Sequence, residues 1–173
     1  SSQMFITGPA VIKEVLGETV TMEELGGAKI HSEVSGVTDL VAKSDDECLL
    51  AIRKLLGFLP SNFESMPPRK TTNDDPARSV EALEKIVPED MKRAYNILQV
   101  IKTLVDDSEF FELKAKFARN LVIGFGRLDG YPVGFVANQP MFLAGSLDVD
   151  AADKAARFIR FCDAFNIPII TLM

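Results

Sequence analysis

Two apolar runs, Leu121-Val122-Ile123-Gly124-Phe125-Gly126-Arg127-Leu128 and Val133-Gly134-Phe135-Val136-Ala137, flank the dipeptide Asp129-Gly130. Asp-Gly readily takes the positive backbone angles of a tight turn, so the runs are expected to be adjacent antiparallel strands. Downstream, Asp148 or Asp150 is placed to cap a helix from about Ala151 to Phe165, with Ala155, Phe158, Ile159, Cys162 and Phe165 facing a core and Asn166 near its end. Ile167-Pro168-Ile169-Ile170-Thr171-Leu172 then reads as a buried strand. A strand that returns after a helix is most simply a right-handed crossover. The pattern predicts an α/β fold, with this half opening a βαβ-type unit.

The upstream residues punctuate differently. Met4-Phe5-Ile6 is expected to be a short strand, ended by Gly8-Pro9 at the start of an amphipathic stretch from Ala10 to Leu16. Thr21-Met22-Glu23-Glu24 has the spacing of a capping box, and Gly26-Gly27 ends that brief helix. Gly36 to Val41 alternates like a half-buried strand. Ser44-Asp45-Asp46-Glu47 then opens a helix whose apolar face is Cys48, Leu49, Ile52, Leu55 and Leu56. From Ser61 to about Arg78 proline and polar residues predominate, which predicts a surface linker. Val80 to Pro88 is a short apolar segment, Tyr95, Ile97, Leu98, Ile101 and Leu104 mark another helix, and Phe110 to Leu113 begins a strand-rich region.

Composition excludes several classes of function. In 173 residues a hydrophobic fraction of 47% rules out a disordered tail. A net charge of −6 disfavours nonspecific binding to nucleic acid or to anionic membranes. No apolar run approaches the roughly 20 residues that a membrane-spanning helix needs, so no membrane insertion is expected. The two cysteines, Cys48 and Cys162, lie inside helix-like apolar patterns and are expected to be reduced core residues of a cytoplasmic or matrix protein.

The chemistry-bearing candidates are few. Asn138-Gln139-Pro140, followed by Gly145-Ser146-Leu147-Asp148, lies between the end of a strand and the start of a helix, where open α/β folds place ligand loops. Lys154, Arg157 and Arg160 recur every three residues as a basic, slowly drifting stripe, read either as a solvated helix face or as a contact for phosphates or a partner subunit. His31 is the only histidine, so no multi-histidine metal site exists within the chain. Asp45-Asp46-Glu47 and Asp106-Asp107 resemble carboxylate pairs but sit beside helix ends as capping or solvated charge. No side-chain catalyst and no metal site emerge.

Several blocks resemble a known family. Met4 to Pro9, Glu24 to Ala28, His31 and Ser35-Gly36, then Ile86-Val87-Pro88, Val133 to Pro140 and the run from Lys154 to Pro168, are similar to the carboxyltransferase (β) subunit of biotin-dependent acyl-CoA carboxylases. That family takes in propionyl-CoA carboxylase β, methylmalonyl-CoA carboxyltransferase and the α subunit of methylmalonyl-CoA decarboxylase. The resemblance implies a crotonase-like fold and an internal fragment of a longer subunit: residues 1–60 as the C-terminal part of the N-terminal half, 61–93 as linker and junction, and 94–173 as the beginning of the C-terminal half. It implies transfer of a carboxyl group between biotin and the α-carbon of an acyl-CoA, propionyl-CoA to methylmalonyl-CoA first. The alternatives are a methylmalonyl-CoA decarboxylase α subunit and, in a different class, a non-catalytic assembly module. Biotin would be carried by a partner, with a biotin carboxyl carrier and biotin carboxylase or membrane decarboxylase subunits as partners and a homo-oligomer of the whole subunit. The family activates both carbonyls through backbone amides. Its glycine donors are expected before Ser1 and after Met173, so no catalytic residue is carried over and the fragment alone is expected to be inactive. Asn138, Gln139, Pro140 and Gly145 are carried over as a wall of the biotin-side pocket.

Overall fold

In the computed structural model, which describes residues 2–90 and 93–173, the chain runs α1 (Pro9–Leu16), α2 (Met22–Gly26), α3 (Ala28–Glu33), α4 (Asp45–Leu56), α5 (Ala82–Ile86), α6 (Ile97–Leu104), β1 (Phe111–Leu113), β2 (Leu121–Leu128), β3 (Tyr131–Asn138), α7 (Val149–Ala164) and β4 (Ile169–Leu172). The strands form one sheet in the order β1-β2-β3-β4. The first two pairings are antiparallel and β4 joins β3 in parallel, as the strand-helix-strand pattern requires. At the hairpin tip φ is 50° at Asp129 and 78° at Gly130, the left-handed pair expected of Asp-Gly.

The hairpin is buried on both faces, which explains why β2 and β3 read as continuous apolar runs and not as alternating ones. Leu121, Ile123, Phe125 and Val136 meet Ala151, Phe158 and Cys162 of α7 on one side. Val122, Val133, Phe135 and Ala137 meet Ile97, Val100 and Ile101 of α6 on the other. The rings of Phe125 and Phe158 lie 5.1 Å apart. Gly134 permits this close approach, since a Cβ there would stand 2.8 Å from the Cys162 sulfur.

Asp106 organises the turn. It is buried, and its carboxylate accepts from the backbone N–H of Asp129 at 3.0 Å and of Gly130 at 2.7 Å. The reading of Asp106-Asp107 as capping or solvated charge is thereby corrected: the hairpin tip folds back over the end of α6 and desolvates the first carboxylate.

Residues 61–78 contain no helix or strand, in keeping with their composition, yet they are strapped down. Arg127 donates to the carbonyls of Pro68 and Gly130, and Arg69 pairs with Asp129 at 2.7 Å. Arg78 donates to the carbonyls of Thr103, Leu104 and Val105, satisfying orphan acceptors at the C-terminus of α6. Met91 and Lys92, within the expected junction, lie outside the described residues.

The upstream expectations fare less evenly. The capping box forms, with the Thr21 hydroxyl accepting from Glu24 N–H and the Glu24 carboxylate accepting from Thr21 N–H. Met4 to Ile6 forms no strand; a single bridge joins Gln3 to Gly27, because no strand lies alongside to extend the pairing. Gly36 to Val41 is not a strand either. It is an irregular segment held by Lys114, whose N–H donates to the Asp39 carbonyl and whose ammonium donates to the Gly36 carbonyl. α4 forms with Ser44 as N-cap, but Leu49, Ile52 and Leu56 are exposed and so is Cys48, which was expected in the core. Only Leu55 of that face packs against the core. Cys162 is buried as expected, whereas Ile159 is exposed at 42% because it falls beside the Phe158–Cys162 face of α7, not on it.

Two stability outcomes follow from the packing. Phe158→Ala should cost about 3–5 kcal/mol in urea unfolding, as a buried aromatic truncation. Arg78→Ala should cost about 1–3 kcal/mol, because three carbonyls lose one donor group, and should hasten limited proteolysis between residues 61 and 78.

Candidate functional site

Where β3 ends, the backbone enters a loop, residues 138–148, that leads to the N-terminus of α7. Gln139 anchors its start. That residue is 3% exposed; its N–H donates to the Asn120 carbonyl at 2.9 Å, its side-chain Nε2 donates to Asn96 Oδ1 at 2.7 Å, and its Oε1 accepts from Ile97 N–H at 3.3 Å. Asn96 in turn caps α6 by accepting from Leu98 N–H. The Gln139 amide is therefore spent on joining the loop to a helix N-terminus.

Asn138 differs. Its Oδ1 is buried and has no protein partner, the one side-chain nitrogen or oxygen in that state among the described residues. An unsatisfied group of this kind costs about 1–3 kcal/mol. Pro140 and the buried Gly145 close the loop, with the Cβ position of Gly145 3.7 Å from Pro140 Cα.

The loop's centre is a left-handed turn. Leu143, Ala144 and Gly145 have φ of 49°, 51° and 75°. Two of the three carry side chains that disfavour this conformation by about 1–2 kcal/mol each. Gly145 N–H donates to the Phe142 carbonyl and Ser146 N–H to that of Leu143, both at 2.9 Å. These bonds close the turn. Met141, Leu143, Leu147 and Val149 are exposed around it, and the Arg119 guanidinium lies 3.9 Å from the centre of the Phe142 ring.

Asp148 caps α7 by accepting from Ala151 N–H at 2.9 Å and also accepts from Asn120 Nδ2 at 3.2 Å. The Ala151 amide and then the Asn120 amide hold its carboxyl below the usual range. Asn120 Nδ2 donates in addition to the Ser146 carbonyl at 2.7 Å.

The basic stripe is corrected at one position. Arg157 and Arg160 are exposed, but Lys154 is 1% exposed and its three ammonium N–H groups face four carbonyls, those of Lys114 at 3.0 Å, Phe117 at 2.7 Å, Ala118 at 3.3 Å and Leu121 at 2.7 Å, so that one N–H is shared. Each three-residue step falls about 60° short of a full turn, so the stripe drifts around the helix. Lys154 stands three residues after buried Ala151 and four before buried Phe158, on the core side. That register was the available signal, and it outweighed the residue's charge. Burial pushes the Lys154 pKa down from 10.5 to about 8, against the opposing pull of Glu112. Asn120 and the Leu143–Ala144 turn escaped the sequence reading. Asn120 has no periodic signal, and left-handed Leu and Ala run against their own preference.

His31 lies apart from this loop, its ring nitrogens 2.6 Å from the Met4 carbonyl and 2.9 Å from Ser35 Oγ. Asn138, Gln139, Pro140 and Gly145 are brought together; Lys154 is joined to them through the 114–121 segment, whose Leu121 pairs with Asn138, and through α7.

With this geometry in view, similarity to known proteins is informative. The carboxyl transferase domain family matches residues 1–173, and the chain belongs to it. It is 51% identical, over its whole length, to the methylmalonyl-CoA decarboxylase subunit alpha of Veillonella parvula, covering 34% of that protein. It is 50% identical to the propionyl-CoA carboxylase carboxyltransferase subunit of Haloferax mediterranei, again over the whole chain and 34% of the relative. Among solved structures, transcarboxylase 12S, described as a hexamer with hydrolysed methylmalonyl-coenzyme A bound, superposes with a TM-score of 0.94 at 47% identity, over 99% of this chain and 34% of that one. The chain thus spans about a third of the length of these relatives. The fold is that of the crotonase-like carboxyltransferases.

The Lys154 environment predicts a pH dependence. Between about pH 8 and pH 10.5 the unfolded chain holds a proton that the folded one has released, so this group's contribution to stability rises with pH across that window and is flat below it. Relative to Lys154→Met, the wild-type chain should gain up to about 3 kcal/mol over that range in urea unfolding.

Proposed function

We propose that the protein carrying this chain transfers a carboxyl group between biotin and the α-carbon of an acyl-CoA, with propionyl-CoA and methylmalonyl-CoA as the first substrate pair. The left-handed turn at Leu143–Gly145, between a strand end and a helix start, is the observation that carries the reading. Its strain is tolerated at a position where α/β folds bind ligands. The relatives' names point the same way, as a propionyl-CoA carboxylase carboxyltransferase subunit and a methylmalonyl-CoA decarboxylase subunit.

Carboxylated biotin supplies an activated carboxyl group when delivered by a partner. Fixed amide donors stabilise charge as it develops and need no acid or base side chain, so the chemistry asks this loop for shape and not for a catalyst. In this reading Asn138, Pro140 and Gly145 form a wall of the biotin-side pocket, with Gln139 as the underpinning. In this reading residues 1–60 close an N-terminal half that holds the acyl-CoA, 61–93 form the junction, and 94–173 open the biotin-side half. Arg157 and Arg160 are candidate contacts for phosphates or a neighbouring subunit. The partners are a biotin carboxyl carrier with biotin carboxylase or membrane decarboxylase subunits, within a homo-oligomer in the cytoplasm or mitochondrial matrix. The decarboxylase reading differs in the direction of transfer, and a non-catalytic assembly module is disfavoured by about 50% identity, over the whole chain, to a decarboxylase subunit and a carboxylase subunit.

The direct test incubates the full-length protein with carboxybiotin and propionyl-CoA and measures label in methylmalonyl-CoA; no transfer to any short acyl-CoA, in either direction, would end this reading. Asn138→Ala should not destabilise the fold by more than about 0.5 kcal/mol, because relief of the buried, unpartnered Oδ1 offsets the packing lost with the side chain. The same change should lower kcat/KM for the biotin side by roughly tenfold, about 1.4 kcal/mol of transition-state stabilisation.

A further inference from the structure

A lysine with 1% exposure on the core face of a helix needs an explanation, since an apolar side chain of the same length would fill the space without the desolvation penalty of an ammonium group. The segment that Lys154 binds supplies one. Residues 114–121 curl around its ammonium, with left-handed backbone at Lys114 and Ala118, φ 50° and 43°, so that the carbonyls of Lys114, Phe117, Ala118 and Leu121 converge on one point. The Lys114 and Ala118 carbonyls also accept from the N–H groups of Phe117 and Leu121, both at 3.1 Å, so what the ammonium adds is a positive charge among four converging carbonyl oxygens that would otherwise repel.

The curl contains Asn120, which grips the candidate loop at both ends. Its carbonyl accepts from Gln139 N–H where the loop begins, and its Nδ2 donates to the Ser146 carbonyl and to Asp148 where the loop ends. Asp148 caps the helix whose second turn carries Lys154, which closes the circuit. The strained Leu143–Gly145 turn lies between the two grips. We propose that Lys154 is a positioning residue: by gathering the carbonyls of residues 114–121 it fixes Asn120, and through Asn120 it holds the 138–148 loop in its left-handed form. The functional part rests on the carboxyl-transfer reading above; the mechanical part does not.

Full-length Lys154→Met separates the two. Hydrogen exchange of the Phe142, Gly145 and Ser146 amides, which hold the loop's backbone hydrogen bonds, should accelerate at least tenfold while β2 and β3 keep their protection. In steady-state assays kcat/KM toward the biotin side should fall at least tenfold with KM for acyl-CoA unchanged. Unchanged exchange in the loop, or an increase spread evenly through the sheet, overturns the proposal whatever the activity does. So does an equal loss toward both substrates. Should Lys154→Met fail to fold, Asn120→Asp, which removes the Nδ2 donor with little change in shape, is read by the same exchange and kinetic criteria. If the wild-type protein transfers no carboxyl group, the functional reading fails and the loop exchange alone decides whether Lys154 positions the loop.

Discussion

An antiparallel ribbon with helices on both faces cannot vary its register or twist freely, because a one-residue slip would exchange the side chains delivered to each layer. Here that constraint falls on β2 and β3, with α7 on one face and α6 on the other. Its consequences reach outward. β4 can add only along β3, the Asp129-Gly130 tip must fold over the end of α6, and the backbone leaving β3 must emerge beside the N-termini of both α6 and α7. The candidate loop is located by that geometry before any of its own residues act. Gln139 and Asp148 then convert location into shape by serving two helix starts from the two ends of one loop.

The polar groups of this region form a supporting frame distinct from the apolar layers. Asn120, Gln139 and Lys154 are each at most 3% exposed and each is engaged by hydrogen bonds. Buried polar networks of this kind specify one arrangement among many that would bury similar apolar area, since a misplaced member leaves an unsatisfied partner. Asn138 Oδ1 is the exception, and it sits at the mouth of the loop that the network supports.

How much was legible in the sequence follows from how local each determinant is. The hairpin, α7 and the parallel return of β4 were readable because Asp129-Gly130 and the apolar periods are written in adjacent residues. The strands expected at Met4–Ile6 and Gly36–Val41 failed because strand pairing needs a neighbour that a short apolar run cannot specify. The α4 face was correctly periodic, yet periodicity says only that a face is apolar, not that something within these residues covers it. The place of the 138–148 loop between a strand end and a helix start was readable because both flanking elements are written in local periods. Lys154 was misplaced because its charge was weighed above its register, and Asn120 was invisible because it acts through contacts with residues 19 or more positions away.

The close passage of α7 over Gly134 also has a chemical consequence for the thiol it covers. Cys162 is sealed against the sheet, and burial pushes its pKa up to about 12, so the reactive thiolate is scarce at neutral pH. Cys48 stands exposed on α4. The two sulfurs therefore keep different clocks under an alkylating reagent: one records the passage of time in the folded protein, the other only the moments when α7 lifts from the hairpin.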